Sequence, residues 1–251
     1  MKTIIFIDGE NFIYQVRDMM MSRRVIRNRD ELASYDIRAL VGKILPEVDA
    51  SQVRIYYYAA KIHVTDQTEE LKERTETIKA WNDRLRGELD RQKIDYVEAG
   101  HLLVRDGKKC PQCGHQEPTL TEKGVDVQLA TDLIRASGDN VTLGLLSSDG
   151  DLIPAVLESK RRGARVIYLG FRGVSNSTLA RAADKKVTIN AREVESVLRL
   201  SRSQSASDTP PTKNQKNNKP TKKPSGATEA PSALDVITSE LAGHKRGKRR
   251  K

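Results

Sequence analysis

The chain has 251 residues, of which 37% are hydrophobic and 31% charged, and its net charge is +10. That apolar content supports one mid-sized domain with additions, and falls short of a core along the whole length. No apolar run approaches the ~20 residues needed to cross a bilayer, which excludes an integral membrane protein.

Residues 2–8 are predicted as a short buried strand ending at Asp8-Gly9. This start lacks the charged lead, longer apolar stretch and small-residue cleavage site of a secretory signal. Residues 11–20 read as a helix. So do residues 36–45, where Ile37, Leu40, Val41, Ile44 and Leu45 follow the helical period and Pro46 ends it. Residues 53–60, rich in Val, Ile and Tyr, read as a strand. Residues 68–93 form a long charged helix whose buried stripe is Leu71, Ile78, Trp81, Leu85 and Leu89. Two strands are expected at 94–98 and 101–105, then a helix at 125–136. An apolar strand at 141–146 runs into Ser147-Ser148-Asp149-Gly150-Asp151. A helix at 152–162, a strand at 165–169, a helix at 178–183, a strand at 187–189 and a helix at 191–200 complete the series.

Residues 201–251 carry 12 Lys+Arg against 4 Asp+Glu, whereas residues 1–200 carry 32 against 30. The tail from 201 is read as disordered, because Ser, Thr, Pro, Lys, Asn and Gln bury too little surface to offset the entropy of ordering. It holds an amphipathic stretch at 234–242, short enough to be a partner-binding helix or nothing. It ends in a basic cluster, Lys245, Arg246, Lys248, Arg249, Arg250 and Lys251, of the kind that binds phosphate backbones by counterion release. A solvated tail that only aids solubility is the plainer alternative.

Strands alternating with helices imply an α/β fold with a mainly parallel sheet, and ligands in such folds sit at the carboxyl ends of the strands. The glycines near Gly170 and Gly173 do not follow the spacing of a phosphate-binding loop. Acidic residues do cluster at strand ends. Asp8 follows the first strand, Asp149 and Asp151 follow the strand at 141–146, and Asp126 opens a helix after Glu122-Lys123-Gly124. Parallel strands would bring these carboxylates to one edge, where a cation is needed to relieve their repulsion. Hard oxygen ligands suit Mg²⁺ or Mn²⁺, which can drive phosphodiester hydrolysis. Each Asp taken singly also reads as a helix cap or turn former. Asp132, six residues past Asp126, is expected to be solvated or capping.

Cys110-Pro111-Gln112-Cys113-Gly114-His115 has the spacing of half a zinc site, with His101 a candidate for the last ligand. A redox thiol pair and two unliganded loop cysteines are the other readings. Two cysteines are too few for a disulfide framework, so a reducing, cytoplasmic setting is expected. Basic residues such as Arg23, Arg24, Arg27, Arg29, Lys160, Arg161 and Arg162 could line a groove for a phosphate backbone, though each alone reads as a solvated charge. Tyr56, Tyr57 and Tyr58 must alternate across a strand, so at least one belongs to the core, as does Trp81.

Three segments carry a resemblance. Phe6-Ile7-Asp8-Gly9-Glu10-Asn11, Lys123 to Ala130, and Leu146 to Pro154 resemble, in order and at compatible spacing, the motifs of the NYN domain family within the PIN-like nuclease superfamily. The similarity runs over about residues 1–190, and the LabA-like branch is the one it resembles most. The resemblance implies a PIN-like three-layer α/β/α sandwich over residues 1–200, with a Cys-x-x-Cys insertion near 101–117. It implies metal-dependent RNA cleavage, with Asp8, Asp126, Asp149 and Asp151 at the metal site and Asn11 as a polar partner that orients it. Glu10 fits the pattern but is left out because its side chain can point away.

The function expected is therefore a ribonuclease using Mg²⁺ or Mn²⁺, with structural Zn²⁺ as a second metal. Its partner would be single-stranded or structured RNA, with no membrane, and with a second copy of the chain or a protein bound by the tail left open. A non-catalytic RNA-binding or regulatory protein of the same fold is the alternative. A phosphotransferase of another α/β class would place an Asp two residues after Asp8, where this chain has Glu10.

Overall fold

The computed structural model describes residues 2–109, 112–114, 116 and 118–207, with side chains of the last helix described through residue 201. Strand β1 (Lys2–Asp8) is followed by α1 (Gly9–Ser22), a 3₁₀ turn at Arg29–Leu32 and α2 (Ile37–Ile44). Then come β2 (Arg54–Lys61), α3 (Glu69–Arg91), β3 (Asp95–Arg105), β4 (Thr119–Lys123) and α4 (Val125–Arg135). The remainder is β5 (Val141–Leu146), a 3₁₀ turn at Gly150–Leu152, α5 (Ile153–Arg161), β6 (Arg165–Phe171), α6 (Ser177–Ala182), β7 (Lys185–Ile189) and α7 (Ala191–Ser207).

The seven strands form one sheet in the order β4-β3-β2-β1-β5-β6-β7. All pairs are parallel except β3 with β4. β1 sits at the centre because its apolar run can be covered on both faces. Alternation sorts its side chains: Ile5 and Ile7 join Phe12, Val16, Leu40, Trp81 and Val197 on one face. Ile4 and Phe6 join Leu129, Leu133, Val156 and Leu179 on the other. Helices α1, α2, α3 and α7 therefore cover one face, and α4, α5 and α6 the other, giving a three-layer α/β/α sandwich. Tyr57 and Tyr58 fall on opposite faces, as the alternation requires, and Trp81 is core.

Most element limits fall within two residues of the expectation; three elements differ more. The strands expected at 94–98 and 101–105 are one strand, β3, interrupted by a register shift opposite Ala59 and Lys61. Gly100, at φ +64°, occupies that irregularity, where a Cβ would meet the Lys123 carbonyl oxygen at 1.9 Å. β4 was not anticipated, since Thr119-Leu120-Thr121-Glu122-Lys123 offers one large apolar residue and takes its strand form from pairing with β3. The last helix continues to Ser207, seven residues past the boundary expected at 200. The stretch at 234–242 and the basic cluster at 245–251 lie outside the described residues. Among the described residues no helix is long and apolar enough to cross a membrane.

Candidate active site at the carboxyl edge

Connections leave β1 and β5 toward opposite sides of the sheet, and these two strands are neighbours, with Ile7 beside Leu146. The crevice between their carboxyl ends is the topological switch point, where open α/β sheets place ligands. Asp8 closes β1 and Ser147-Ser148-Asp149 follows β5, so both reach this crevice.

Asp8 is buried, with 2% of its surface exposed. Its Oδ1 accepts the Asn11 backbone N–H at 3.0 Å, which caps α1, and its Oδ2 accepts the Ser147 hydroxyl at 2.9 Å. The Ser147 oxygen in turn accepts the Asp149 N–H at 3.1 Å. Asp149 Oδ1 accepts the Asp151 N–H at 3.0 Å, capping the 3₁₀ turn that opens α5. Cap and site thus coincide in the same side chains: the residues that start α1 and the 3₁₀ turn are held by the folding of those helices. The result is a continuous hydrogen-bonded chain Asp8–Ser147–Asp149–Asp151 across the switch point.

Asn11 lies one turn into α1 and locks the next residue in two ways. Its Nδ2 donates to the Ser148 hydroxyl at 2.7 Å, and its Oδ1 accepts the Ser148 N–H at 3.2 Å. From the other side Asn176, the N-cap of α6, donates to the Ser148 carbonyl oxygen at 3.2 Å, and its own N–H donates to the Tyr168 hydroxyl at 2.8 Å. α1, β6 and α6 therefore all grip the Ser147–Asp149 turn. Gly9 allows this approach: a Cβ there would stand 2.3 Å from the Tyr57 ring and 2.5 Å from the Tyr58 carbonyl oxygen. Tyr57 hydroxyl donates to the Gly9 carbonyl oxygen at 3.0 Å.

Asp126 arrives from a third direction, in the first turn of α4. Gly124 precedes the helix at φ +90°, a left-handed turn that lets β4 reverse directly into α4. α4 is tied to the sheet further along by Asp132, which accepts the Tyr58 hydroxyl at 3.1 Å and the Gln128 amide at 2.9 Å. Asp132 is thus a tether of α4, about a quarter exposed and 3.6 Å from Arg135, rather than the solvated or capping residue expected from sequence. Burial, then the Asp132 charge and hydrogen bond, push the Tyr58 hydroxyl far above its ordinary range, so it stays a donor.

The structure joins Asp8, Asp149 and Asp151 through one chain and Asn11 through Ser148, whereas Asp126, in the first turn of α4, stands outside that chain. Among the described residues no three His, Cys, Asp or Glu side chains are gathered as a ready-made metal cage. Ser147, Ser148 and Asn176 were not anticipated. The first two stand inside the motif, between an apolar strand and Asp149, and Asn176-Ser177-Thr178-Leu179 has an N-cap pattern that could have revealed the third.

Glu10 points away from the crevice and pairs with Arg29 at 3.0 Å. Arg29 is buried, its guanidinium 4.1 Å from the centre of the Trp81 ring, so it belongs to the interior and is neither a groove cation nor a solvated charge. Arg23 pairs with Glu195, Lys160 with Asp184, and Arg161 and Arg162 with Glu158.

Cys110 and His115 lie outside the described residues. Cys113 is exposed on the loop joining β3 to β4, which is closed by a bridge between Lys109 and Gln116. His101 lies in β3 with its ring centre 5.9 Å from that of His63.

The solved structures that resemble the chain include these two. One is a Vibrio parahaemolyticus protein of unknown function, at 19% identity and TM-score 0.43, covering 75% of this chain and 92% of that one. The other is a structure described as a basis for the mechanism and regulation of Sir2 enzymes, at 10% identity and TM-score 0.33, covering 82% and 94%. No curated protein matches the chain. The model of the NYN domain, by contrast, matches residues 2–190, from the start of β1 to the end of β7, and so spans all three motifs. With that match over three quarters of its length, and with Asp8 ending β1 and Asp149 following β5 at the carboxyl edge of a mainly parallel sheet, the chain belongs to the NYN domain family.

Proposed function

We propose that this protein is a metal-dependent ribonuclease that hydrolyses RNA phosphodiester bonds in the crevice between β1 and β5. The observation that carries the reading is the hydrogen-bonded chain from buried Asp8 through Ser147 to Asp149. The donor set fits a hard divalent cation such as Mg²⁺ or Mn²⁺, since every polar side-chain atom it offers is oxygen.

Asp8 and Asp149 would hold the cation, with Asp126 and Asp151 completing the oxygen ligands directly or through water. A cation so held supplies charge stabilisation for in-line attack of water on phosphorus and for departure of the alcohol. Ser147 fixes the rotamer of Asp8 and the backbone of Asp149 together. Asn11 and Asn176 hold Ser148, and through it the turn, so the two carboxylates keep a fixed separation. The basic cluster at 245–251 is proposed to add phosphate contacts that raise affinity without specifying sequence.

The test is cleavage of a mixed set of labelled RNAs in Mn²⁺, Mg²⁺ or EDTA by wild type and Asp149→Asn. Metal-dependent cleavage that vanishes in the variant is expected. RNA binding with no cleavage by wild type would replace this reading with a non-catalytic RNA-binding protein.

A further inference from the structure

β3 runs past the end of β2, and with β4 it forms an antiparallel wing at the carboxyl edge of the sheet. One face of the wing is apolar: Leu102, Val104 and Leu120 pack with Ile62 and with Ile78 of α3. The opposite face is presented by the alternate positions, paired His101 with Lys123, Leu103 with Thr121, and Arg105 with Thr119. Lys61 of β2 pairs with His101 and extends the row onto the main sheet. Paired residues share a face, so the row Lys61–His101–Lys123 crosses three strands over roughly 10 Å. Arg105 lies four residues further along β3, about 13 Å away.

No acid occupies the paired positions of this face. Glu122, the acid of β4, pairs with Leu102 and so belongs to the other face. Lys61, Arg105 and Lys123 are exposed, and among the described residues none of them has an ion-pair partner, unlike the exposed cations of α3, such as Lys72, Lys79 and Arg91, which pair with neighbouring acids. Between these cations lie the tilted rings of His63 and His101, and Leu103 at 39% exposure. Unpaired cations interleaved with rings and an exposed apolar side chain are what a single-stranded backbone with splayed bases requires. The row is also aimed: Lys123 leads through Gly124 into the first turn of α4, three residues before Asp126.

We propose that this face, carrying Lys61, His63, His101, Leu103, Arg105 and Lys123, is the track along which single-stranded RNA reaches the carboxyl edge. The cations neutralise successive phosphates, and the rings and Leu103 contact bases. The substrate of the crevice is then an extended single strand fed across the wing. The assignment of a route into the crevice rests on the ribonuclease reading above; the binding surface itself does not.

The full-length chain is titrated against a fluorescein-labelled oligouridylate by anisotropy, over a salt series and without added divalent cation. The wing variant Lys61→Gln/Arg105→Gln/Lys123→Gln is compared with Lys72→Gln/Lys79→Gln/Arg91→Gln, which removes the same charge from α3. The wing variant is expected to bind about tenfold more weakly at 0.1 M salt, and its log–log salt slope to fall by about 2, as three lost single-strand phosphate contacts require. The α3 variant should stay within about twofold of wild type, which also shows that net charge alone is not the cause. Equal weakening of the two variants, wild-type affinity in the wing variant, or equal wing-dependent affinity for a hairpin duplex would each overturn the track. Cleavage in Mn²⁺ separates the two ideas. Lost binding in the wing variant with no cleavage by wild type keeps the track and removes the nuclease. Cleavage by wild type with unchanged binding in the wing variant does the reverse.

Discussion

Ser147 donates its hydroxyl to the buried carboxylate of Asp8 across 2.9 Å, and this bond ties the end of β5 to the end of β1. It fixes one Asp8 oxygen from the β5 side of the crevice while the other oxygen serves α1. Ser147→Ala leaves the Asp8 oxygen without that donor and the Asp149 N–H without its acceptor. Removing a hydrogen bond to a buried charged group costs about 2 kcal/mol. Urea denaturation should show that loss, and cleavage should fall further than the stability change explains, because Asp8 and Asp149 lose their shared reference point. Wild-type cleavage in a destabilised Ser147→Ala would separate this bond from the chemistry.

A cation that binds the folded chain and not the unfolded one stabilises it by about 2.7 kcal/mol at a hundredfold excess over Kd, and so raises its melting temperature with concentration. Mn²⁺ is therefore expected to stabilise wild type in a saturable way. Asp8→Asn and Asp149→Asn should lose the shift, while Asp132→Asn should keep it, because Asp132 is engaged with Tyr58 and Gln128 on the α4 flank. An equal shift in all four proteins would place the cation elsewhere.

The alternating strands and helices of the sequence led to the α/β sheet because its periodicities are strong: β1 and β5 each carry a buried, mostly apolar run, and α3 keeps its stripe over six turns. The positions of Asp8 and Asp149 were legible for the same reason, since Asp8 closes β1 and Asp149 follows the end of β5 by three residues. β4 was not legible, because a strand with one large apolar residue takes its form from a partner rather than from its own composition. Asp132 was misread because helical spacing from Asp126 was the only guide, whereas its partner, the Tyr58 hydroxyl, lies 74 residues away in sequence. Asn11 was legible as a neighbour of Asp8, but its target, Ser148, is 137 residues distant and emerges only when β1 and β5 pair.

Tyr58→Phe isolates the tether of α4. The substitution keeps the ring among Phe6, Val125 and Leu129 and removes only the donor to Asp132. A loss of about 1 kcal/mol is expected. Hydrogen exchange should quicken along α4, and the effect should include its first turn, where Asp126 sits. Unchanged exchange in α4 would show that the helix is held by its apolar face alone.

Asp184 gives the fold an acid-sensitive contact on the α5–β6 side. Burial raises its pKa, but the Lys160 ammonium at 2.8 Å and the Val166 N–H at 2.8 Å outweigh that and hold it below the ordinary carboxylate range. A depressed folded pKa means the contribution is complete above the unfolded value of about 3.9 and is lost as pH falls through the folded pKa. Asp184→Asn should therefore be less stable than wild type at neutral pH, and the gap should begin to close as pH falls below about 4. The difference should shrink in high salt, because the pair is about a third exposed. A gap between the two proteins that stays constant down to pH 2 would assign the effect to packing.

Gly9→Ala tests whether the approach of α1 to β2 is rigid. The new methyl would stand 2.3 Å from a Tyr57 ring carbon and 2.5 Å from the Tyr58 carbonyl oxygen. The ring can be trimmed, but the carbonyl belongs to a strand paired on both sides, with β1 and with β3. Relief therefore requires α1 to lift, which breaks the Tyr57–Gly9 bond and draws Asn11 from Ser148. The expected cost is about 3 kcal/mol, the upper end for overpacking. Gly9→Ala/Tyr57→Leu should not recover the stability, since the backbone contact persists. In whatever fraction of Gly9→Ala remains folded, the Mn²⁺ shift should be weaker than in wild type, because the Asn11 N–H that orients Asp8 moves with the helix. Full recovery in the double variant would show that the ring, and not the strand, sets the distance between α1 and the sheet.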